Sequence, residues 1–374
     1  MSIDRITSPD SPALADLCAQ LAAKADAADL SGAWPAEQLR LCGEAGVYEW
    51  FLPEAINGQY CGGQDWSDLD VVRGYLALAA ADLTTTFIIT QRTGACRRVA
   101  AGENDELKSR VLPMLTSGEN FATVGISHLT TSHRHLKKPV LTATQGPSGW
   151  VLNGFSPWVT GGDHARCILT GAVVMDGDEP TNEQILAFVP TSDAGVRADE
   201  PAKLVGLSHS HTGRVFFDGV TVSDEWLVAG PLENVMAAGR ASRPGGHETS
   251  TLALGLASAA IDYMKQESLQ REELRESQEA LAAELAGVVE DLMSVAQGEA
   301  RCSNEWLRQQ ANSLVLRTTQ AALAAAKGAG YLAGHPVGRW CREALFFLVW
   351  SCPQPVMNAN LCELAGLWDE DIRL

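Results

Sequence analysis

Basic residues are scarce in this chain: 28 Lys and Arg stand against 46 Asp and Glu, a formal net charge of -18. Nucleic acid and anionic membrane surfaces are both bound through clustered cations, so neither is expected as a partner. No apolar run approaches about 20 residues, which removes a membrane-spanning helix from consideration. The first residues, MSIDRITSPDSP, lack the hydrophobic stretch of a signal peptide, and the expected location is cytoplasmic. There is no C-x-x-C pair. The nine cysteines are odd in number and scattered, so neither a disulfide framework nor a zinc site is indicated, and buried small hydrophobes account for most of them. Seven of the eight histidines fall between His128 and His247, with His128, His133 and His135 in one group and His209 and His211 in another. His133 and His135 share a face if their segment is a strand, but that spacing alone does not define a ligand set, and no metal is expected.

What is present is a large apolar content, 46% over 374 residues, enough to bury a core divided among two or three domains. From Ser11 to about Asp82 the apolar spacing is helical, interrupted by turns at Ser31-Gly32 and Gly62-Gly63. The segments around DLDVVRGYLALAAAD and TTTFIITQRTGACRRVAAG read as helices that pack inside a bundle. From Asn120 short β-prone runs take over, FATVGI, VLTAT, WVLNGF, ARCILTGAVV, QILAFVP and GRVFFDGVTV. Beyond Arg240 the pattern is helical again. One stripe contains Leu252, Leu256, Ala259 and Tyr263; another contains Leu281, Leu285, Val288, Leu292 and Val295. The expected organisation is an N-terminal α-helical domain over 1–119, a middle β domain over 120–229 and a C-terminal helical bundle over 230–374.

Within the β region, GWVLNGFSPWVT suggests two short strands about an Asn153-Gly154 turn. Strand alternation puts Trp158 and Thr160 on one face, where an indole can stack on a flat redox cofactor and a hydroxyl can donate to a ring heteroatom. The same residues also suit a hairpin whose Trp fills a core.

This segment, with Gly161 and Gly162 behind it, resembles the G-x-x-x-N-G-x-K-x-W-I-T-N segment of acyl-CoA dehydrogenases, whose Trp and Thr lie against the flavin. Other matches stand in order along the chain: Glu44, Gly46, Pro53, Glu54 and Gly62-Gly63; then Lys203, Gly206, Thr212, Phe217, Val220 and Val222; then Gly328, Gly330, Pro336, Arg342 and Ala344. The resemblance spans about residues 11 to 366. It implies an α+β multidomain fold, with an N-terminal helical domain, a central β-barrel or sandwich and a C-terminal four-helix bundle, assembled as a homodimer or homotetramer. It also implies FAD, with FMN as the alternative, held by Ser127, Trp158, Thr160 and, from an adjacent subunit, Arg271 and Gln278. Thr90, Gln91 and Arg92 either border the substrate channel or make ordinary helix-face contacts, and Trp350 and Ser351 fall at the substrate pocket.

The match fails at the chemistry. The position of the family's usual catalytic Glu is Ser351, which is no base near neutral pH, and the alternative position used by some members is Gly245. Glu248 lies about one helical turn further on and is the candidate base. The family's T-E-P-x-x-G-S-D loop is replaced by VGISHLTTSHRH, in which Ser127, Thr130, Thr131 and Ser132 supply hydroxyls and His128 is a candidate for handling an oxyanion or an oxygen adduct. The pair Arg339 and Arg342 is closer to the flavin-dependent monooxygenases that share this fold. Three readings follow. One is a flavin-dependent oxidoreductase acting on a small-molecule substrate such as an acyl thioester, with an unidentified electron acceptor. Another is a two-component monooxygenase served by a flavin reductase. The third is a non-catalytic binding or scaffold protein.

Overall fold

The structure is a computed structural model that describes residues 4–130, 138–237 and 247–367. Thr131, Ser132, His133, His135 and Gly245 lie outside the described residues.

The chain opens with α1 (Pro12–Ser31) and α2 (Ala36–Glu44), then a two-stranded ribbon of β1 (Ala55–Ile56) and β2 (Gln59–Tyr60), then α3 (Asp68–Ala81), α4 (Leu83–Ala101) and α5 (Asp105–Thr116). Each boundary has a local cause. Gly32 ends α1 in the left-handed region at φ 64°, which a residue with a Cβ adopts only under strain. Side chains of Ser67, Asp82 and Asn104 accept from the backbone N–H groups of Asp70, Thr85 and Leu107, capping α3, α4 and α5. The ribbon interrupts a stretch whose spacing reads as helical, because Asn57 and Gly58 both take positive φ and turn the chain back on itself.

Strands occupy the centre of the chain: β3 (Ala122–Gly125), then a single helical turn α6 (Ser127–Thr130), β4 (Leu141–Gly146), β5 (Gly149–Thr160), β6 (Cys167–Asp176), β7 (Glu179–Pro190), β8 (Val196–Ala198), β9 (Thr212–Val222) and β10 (Leu227–Leu232). They form one sheet in the order β10-β7-β6-β4-β5-β9-β8, with β3 pairing β6 in parallel. The expected turn at Asn153-Gly154 is not one. β5 runs unbroken through both residues, paired to β4 and β9, and the reversal occurs between Gly146 and Gly149. The Asn-Gly pair marks a bulge instead: the register slips between Leu152 and Asn153, and Asn153 Oδ1 accepts from the N–H of Gly219 at 2.9 Å. A Cβ on Gly154 would stand 2.1 Å from the Val140 carbonyl oxygen, so the glycine permits the close approach of β4.

The C-terminal part contains α7 (His247–Ser268), α8 (Arg275–Ala296) and α9 (Asn304–Ala326), followed by the shorter α10 (Pro336–Ala344) and α11 (Gln354–Leu364). α7 packs against α3 as well as α8 and α9, and one apolar core containing Val72, Leu83, Phe87, Leu256, Leu292 and Leu314 joins the N-terminal helices to the bundle. α10 is tied to α1 by two ion pairs, Arg339 with Asp26 at 2.8 Å and Arg342 with Asp29 at 2.6 Å. The helical and β parts therefore meet along α4, and a cavity opens where they meet.

Candidate functional site

The cavity has a volume of about 590 Å³. α4 forms one wall through Phe87, Thr90, Gln91, Gly94 and Arg98. Those positions recur at three- and four-residue intervals and so occupy one face of the helix. The end of β3 brings Val124, Ile126 and Ser127, the end of β5 brings Trp158 and Thr160, and the start of β9 brings Thr212. Glu248 and Thr249 enter from the first turn of α7, and Phe346, Val349, Trp350 and Ser351 close the far side after α10.

Trp158 and Thr160 are both on the cavity, as strand alternation predicts. Trp158 is 50% exposed, so its indole is a ring face and not a core filler. Thr160 is buried, and its hydroxyl lies 2.9 Å from that of Thr212, which in turn lies 2.9 Å from Ser210 Oγ. These three hydroxyls form a connected polar strip in a wall that is otherwise largely apolar. An open indole beside a fixed row of hydroxyls suits a flat heteroaromatic ring with polar edges, so the residues present fit a flavin ring. Ser127, beside them, suits a polar part of the same ligand.

At the opposite side Phe346 and Trp350 stack with centroids 5.0 Å apart, and Phe87 meets both edge-on at 4.9 Å. Ser351 follows with φ 43°, a left-handed conformation that non-glycine residues seldom hold. The place where the resemblance puts a carboxylate is thus an aromatic cluster ending in a hydroxyl.

Glu248 is the one carboxylate among the described residues lining the cavity. Its Oε1 accepts from Arg97 Nη1 at 2.5 Å, and Asp68 stands 3.9 Å from the same guanidinium. The ion pair fixes the carboxylate from the side of Arg97, which is not among the lining residues. Arg98 lies on the cavity wall itself. Burial pulls its guanidinium below the ordinary arginine range, with Glu248 opposing that shift.

Other expected site residues lie elsewhere. Arg92 is not in the channel: one residue beyond Gln91 turns it about 100° around α4, into the N-terminal core. There it is buried, donates to the carbonyls of Leu115 and Asn120, and stacks over Tyr48 at 4.0 Å. His128 is buried away from the cavity lining, and its Nε2 donates to the Gly171 carbonyl at 2.7 Å. Arg271 pairs with Glu267 and donates to the Ala325 carbonyl at 2.6 Å, and Gln278 is buried on α8; neither lines this cavity within one chain. Arg97, Arg98, Phe87, Phe346 and Thr212 were not anticipated as site residues. The α4 spacing that selects Thr90 and Gln91 also selects Phe87, Gly94 and Arg98, whereas Phe346 has no comparable signal.

No family model matches the chain. A curated protein of Mycobacterium leprae named "Probable acyl-CoA dehydrogenase" is 24% identical over 342 residues, covering 87% of this chain and 86% of the relative. Butyryl-CoA dehydrogenase from Megasphaera elsdenii superposes with a TM-score of 0.80 at 17% identity, covering 94% of this chain and 96% of that one. The FMN-bound dibenzothiophene monooxygenase TdsC from Paenibacillus sp. A11-2 superposes with a TM-score of 0.77 at 18% identity, covering 96% of this chain and 97% of that one.

Proposed function

We propose that the chain is a flavin-dependent oxidoreductase of the acyl-CoA dehydrogenase superfamily, a reading supported by curated relatives matching most of its length and by the shared fold, and that its substrate is an acyl thioester oxidised at the carbon–carbon bond next to the carbonyl, with Glu248 as the base. The observation that carries this reading is the placement of Glu248 as the sole carboxylate among the described lining residues. When bound, the flavin supplies the acceptor for a hydride. Trp158 would hold its ring by stacking, and Thr160, Thr212 and Ser127 would supply hydroxyls to its polar edges. Glu248, held in place by Arg97, takes the proton alpha to the thioester carbonyl, and the aromatic cluster of Phe87, Phe346 and Trp350 excludes water from the acyl chain. The proton leaves the carbon alpha to the thioester for Glu248 and the hydride would leave the beta carbon, so that a double bond forms between the two carbons. FAD is the expected cofactor and FMN the alternative.

Exposed apolar side chains are concentrated in the C-terminal part, where Tyr331 is 86% exposed and Leu332, Val349, Leu361 and Leu364 are also open. Apolar surface of this extent supports assembly as a dimer or tetramer through this part of the chain, an arrangement in which Arg271 and Gln278 reach the flavin of a neighbour. No helix among the described residues is long and apolar enough to cross a membrane. A cytoplasmic location and a separate electron acceptor complete the proposal.

A second reading has its own support. Phe87, Phe346 and Trp350 at the place of the usual base suit a planar apolar substrate, and Ser351 adds no carboxylate, which favours a monooxygenase fed with reduced flavin. Anaerobic mixing of the flavin-loaded protein with acyl-CoA compounds separates the two. Bleaching of the flavin by an acyl-CoA supports the dehydrogenase. Absence of bleaching, together with oxygen-dependent product formation in the presence of a flavin reductase, supports the monooxygenase.

A further inference from the structure

Asp163, His164 and His211 converge at the surface where the β sheet meets the connection between α1 and α2, outside the cavity lining. His211 Nδ1 lies 2.9 Å from Asp163 Oδ2 and 3.0 Å from His164 Nε2, and His164 Nε2 lies 3.5 Å from Asp163 Oδ2. Three ligand atoms of a tetrahedral ion, each about 2.0–2.1 Å from it, are separated by roughly 3.3 Å. The observed triangle is close to that shape, and a small divalent ion just above its plane reaches all three corners.

The ring orientations are fixed from outside the triangle. His211 Nε2 is 3.1 Å from the Gly32 carbonyl oxygen, which can only accept, so Nε2 carries a proton and, in the neutral ring, Nδ1 turns its lone pair to the other two groups. That is the arrangement in which a metal-binding imidazole is held by a backbone carbonyl on its far side. Trp34 stacks on the His164 ring, with centroids 4.3 Å apart and planes 15° from parallel. The backbone of His211 is held at φ 48°, and the adjacent turn at Gly161 bonds to the carbonyls of Ser210 and His211. Strain of this kind is retained where the surroundings require one side-chain direction. With the neutral His211 ring, its Nδ1 lone pair and the Asp163 carboxylate face each other across their 2.9 Å edge, on which an N–H of His164 does not lie. A proton relieves one edge of the triangle, whereas a divalent cation relieves all three.

We infer that Asp163, His164 and His211 form a binding site for one divalent metal ion of the zinc class, with a fourth position open to solvent. Two nitrogens and one oxygen select a borderline ion over calcium or magnesium, which prefer oxygen. The ion ties the Gly32–Trp34 connection to the segment preceding Thr212, whose hydroxyl bonds to Thr160 in the cavity wall. The inference does not depend on what the cavity binds.

The test uses the untagged full chain, freed of metal by chelation, and titrates it with zinc by calorimetry and with cobalt by visible absorption. One saturable site per chain is expected, together with the strong visible bands of four-coordinate cobalt. Asp163→Asn and His164→Ala should each weaken zinc by at least about tenfold while leaving the far-ultraviolet circular dichroism unchanged. Zinc should raise the melting temperature of the parent protein and not of the variants. A parent protein with no saturable site, holding only a proton at the triangle, overturns the inference. So does a site that survives both substitutions, which would place the ligands elsewhere.

Discussion

Arg97 Nη1 donates to Glu248 Oε1 at 2.5 Å across the seam between α4 and the first turn of α7. The pairing fixes the position of the cavity's carboxylate from another helix. Replacing Glu248 with Gln keeps the shape and removes the base. Reduction of bound flavin by acyl-CoA should slow by roughly 10²–10⁴-fold, while the flavin remains bound. Rapid-mixing absorbance in the absence of oxygen measures both.

Replacing Arg97 with Met removes the group that holds the Glu248 carboxylate in place. Reduction of bound flavin by acyl-CoA should slow by up to about 10²-fold, because a carboxylate released from its partner loses its fixed approach to the reacting atom. An unchanged rate separates Arg97 from the chemistry.

Trp158→Ala removes the exposed ring face and should weaken flavin by about 1–3 kcal/mol, the range for a base stacked on an aromatic side chain. Thr160→Val breaks its hydroxyl pair with Thr212 and should cost about 1 kcal/mol of stability or flavin affinity. Equilibrium dialysis with FAD and with FMN, alongside thermal melts, gives both numbers.

Arg92 provides the contrast on the same helix. Arg92→Met leaves the Leu115 and Asn120 carbonyls without their charged donor in a buried setting and should destabilise the fold by about 3 kcal/mol. Flavin affinity of the folded fraction should not change. Denaturant unfolding, read beside flavin binding, distinguishes this structural role from a channel role.

Much of the fold was legible because its signals are local or periodic. The turn at Ser31-Gly32, the helical spacing of α3 and α4, and the β-rich runs from Asn120 onward all correspond to elements, since each depends on residues close in sequence. The two Asn-Gly pairs show the limit of such signals. Asn57-Gly58 reverses the chain, but Asn153-Gly154 lies inside a twelve-residue strand. Both sequences offer a residue pair tolerant of positive φ, and the partner strands decide whether that becomes a turn or a bulge. The cavity was legible where it is built from one face of one element, as with Trp158 and Thr160. The pairing of Arg97 with Glu248 joins residues 151 positions apart, and the Asp163, His164 and His211 cluster depends on a turn meeting a strained segment from a different part of the sheet. Neither leaves a spacing to read.

Stability should also carry a pH signature from Glu343. This carboxyl is fully buried, and desolvation raises its pKa from 4.5 to about 7 despite the opposing Arg339 guanidinium; Asp82 and Asp29 push in the same upward direction as burial. The folded state therefore binds the proton more tightly than the unfolded chain. Its contribution is complete below about 4.5 and is lost as the pH rises to about 7. The stability of the parent protein relative to Glu343→Gln should fall across that interval and level off above it. Thermal melts of the two proteins at matched pH measure the difference.

The most direct test of the central claim is the visible spectrum of the purified protein after incubation with FAD and removal of free ligand, followed by anaerobic addition of acyl-CoA compounds. The account predicts a retained flavin spectrum that bleaches with an acyl-CoA in the parent protein, stays oxidised in Glu248→Gln and is diminished in Trp158→Ala. A protein that retains neither FAD nor FMN would contradict it, leaving the indole and the hydroxyl strip as the wall of a cavity that serves only as a binding scaffold.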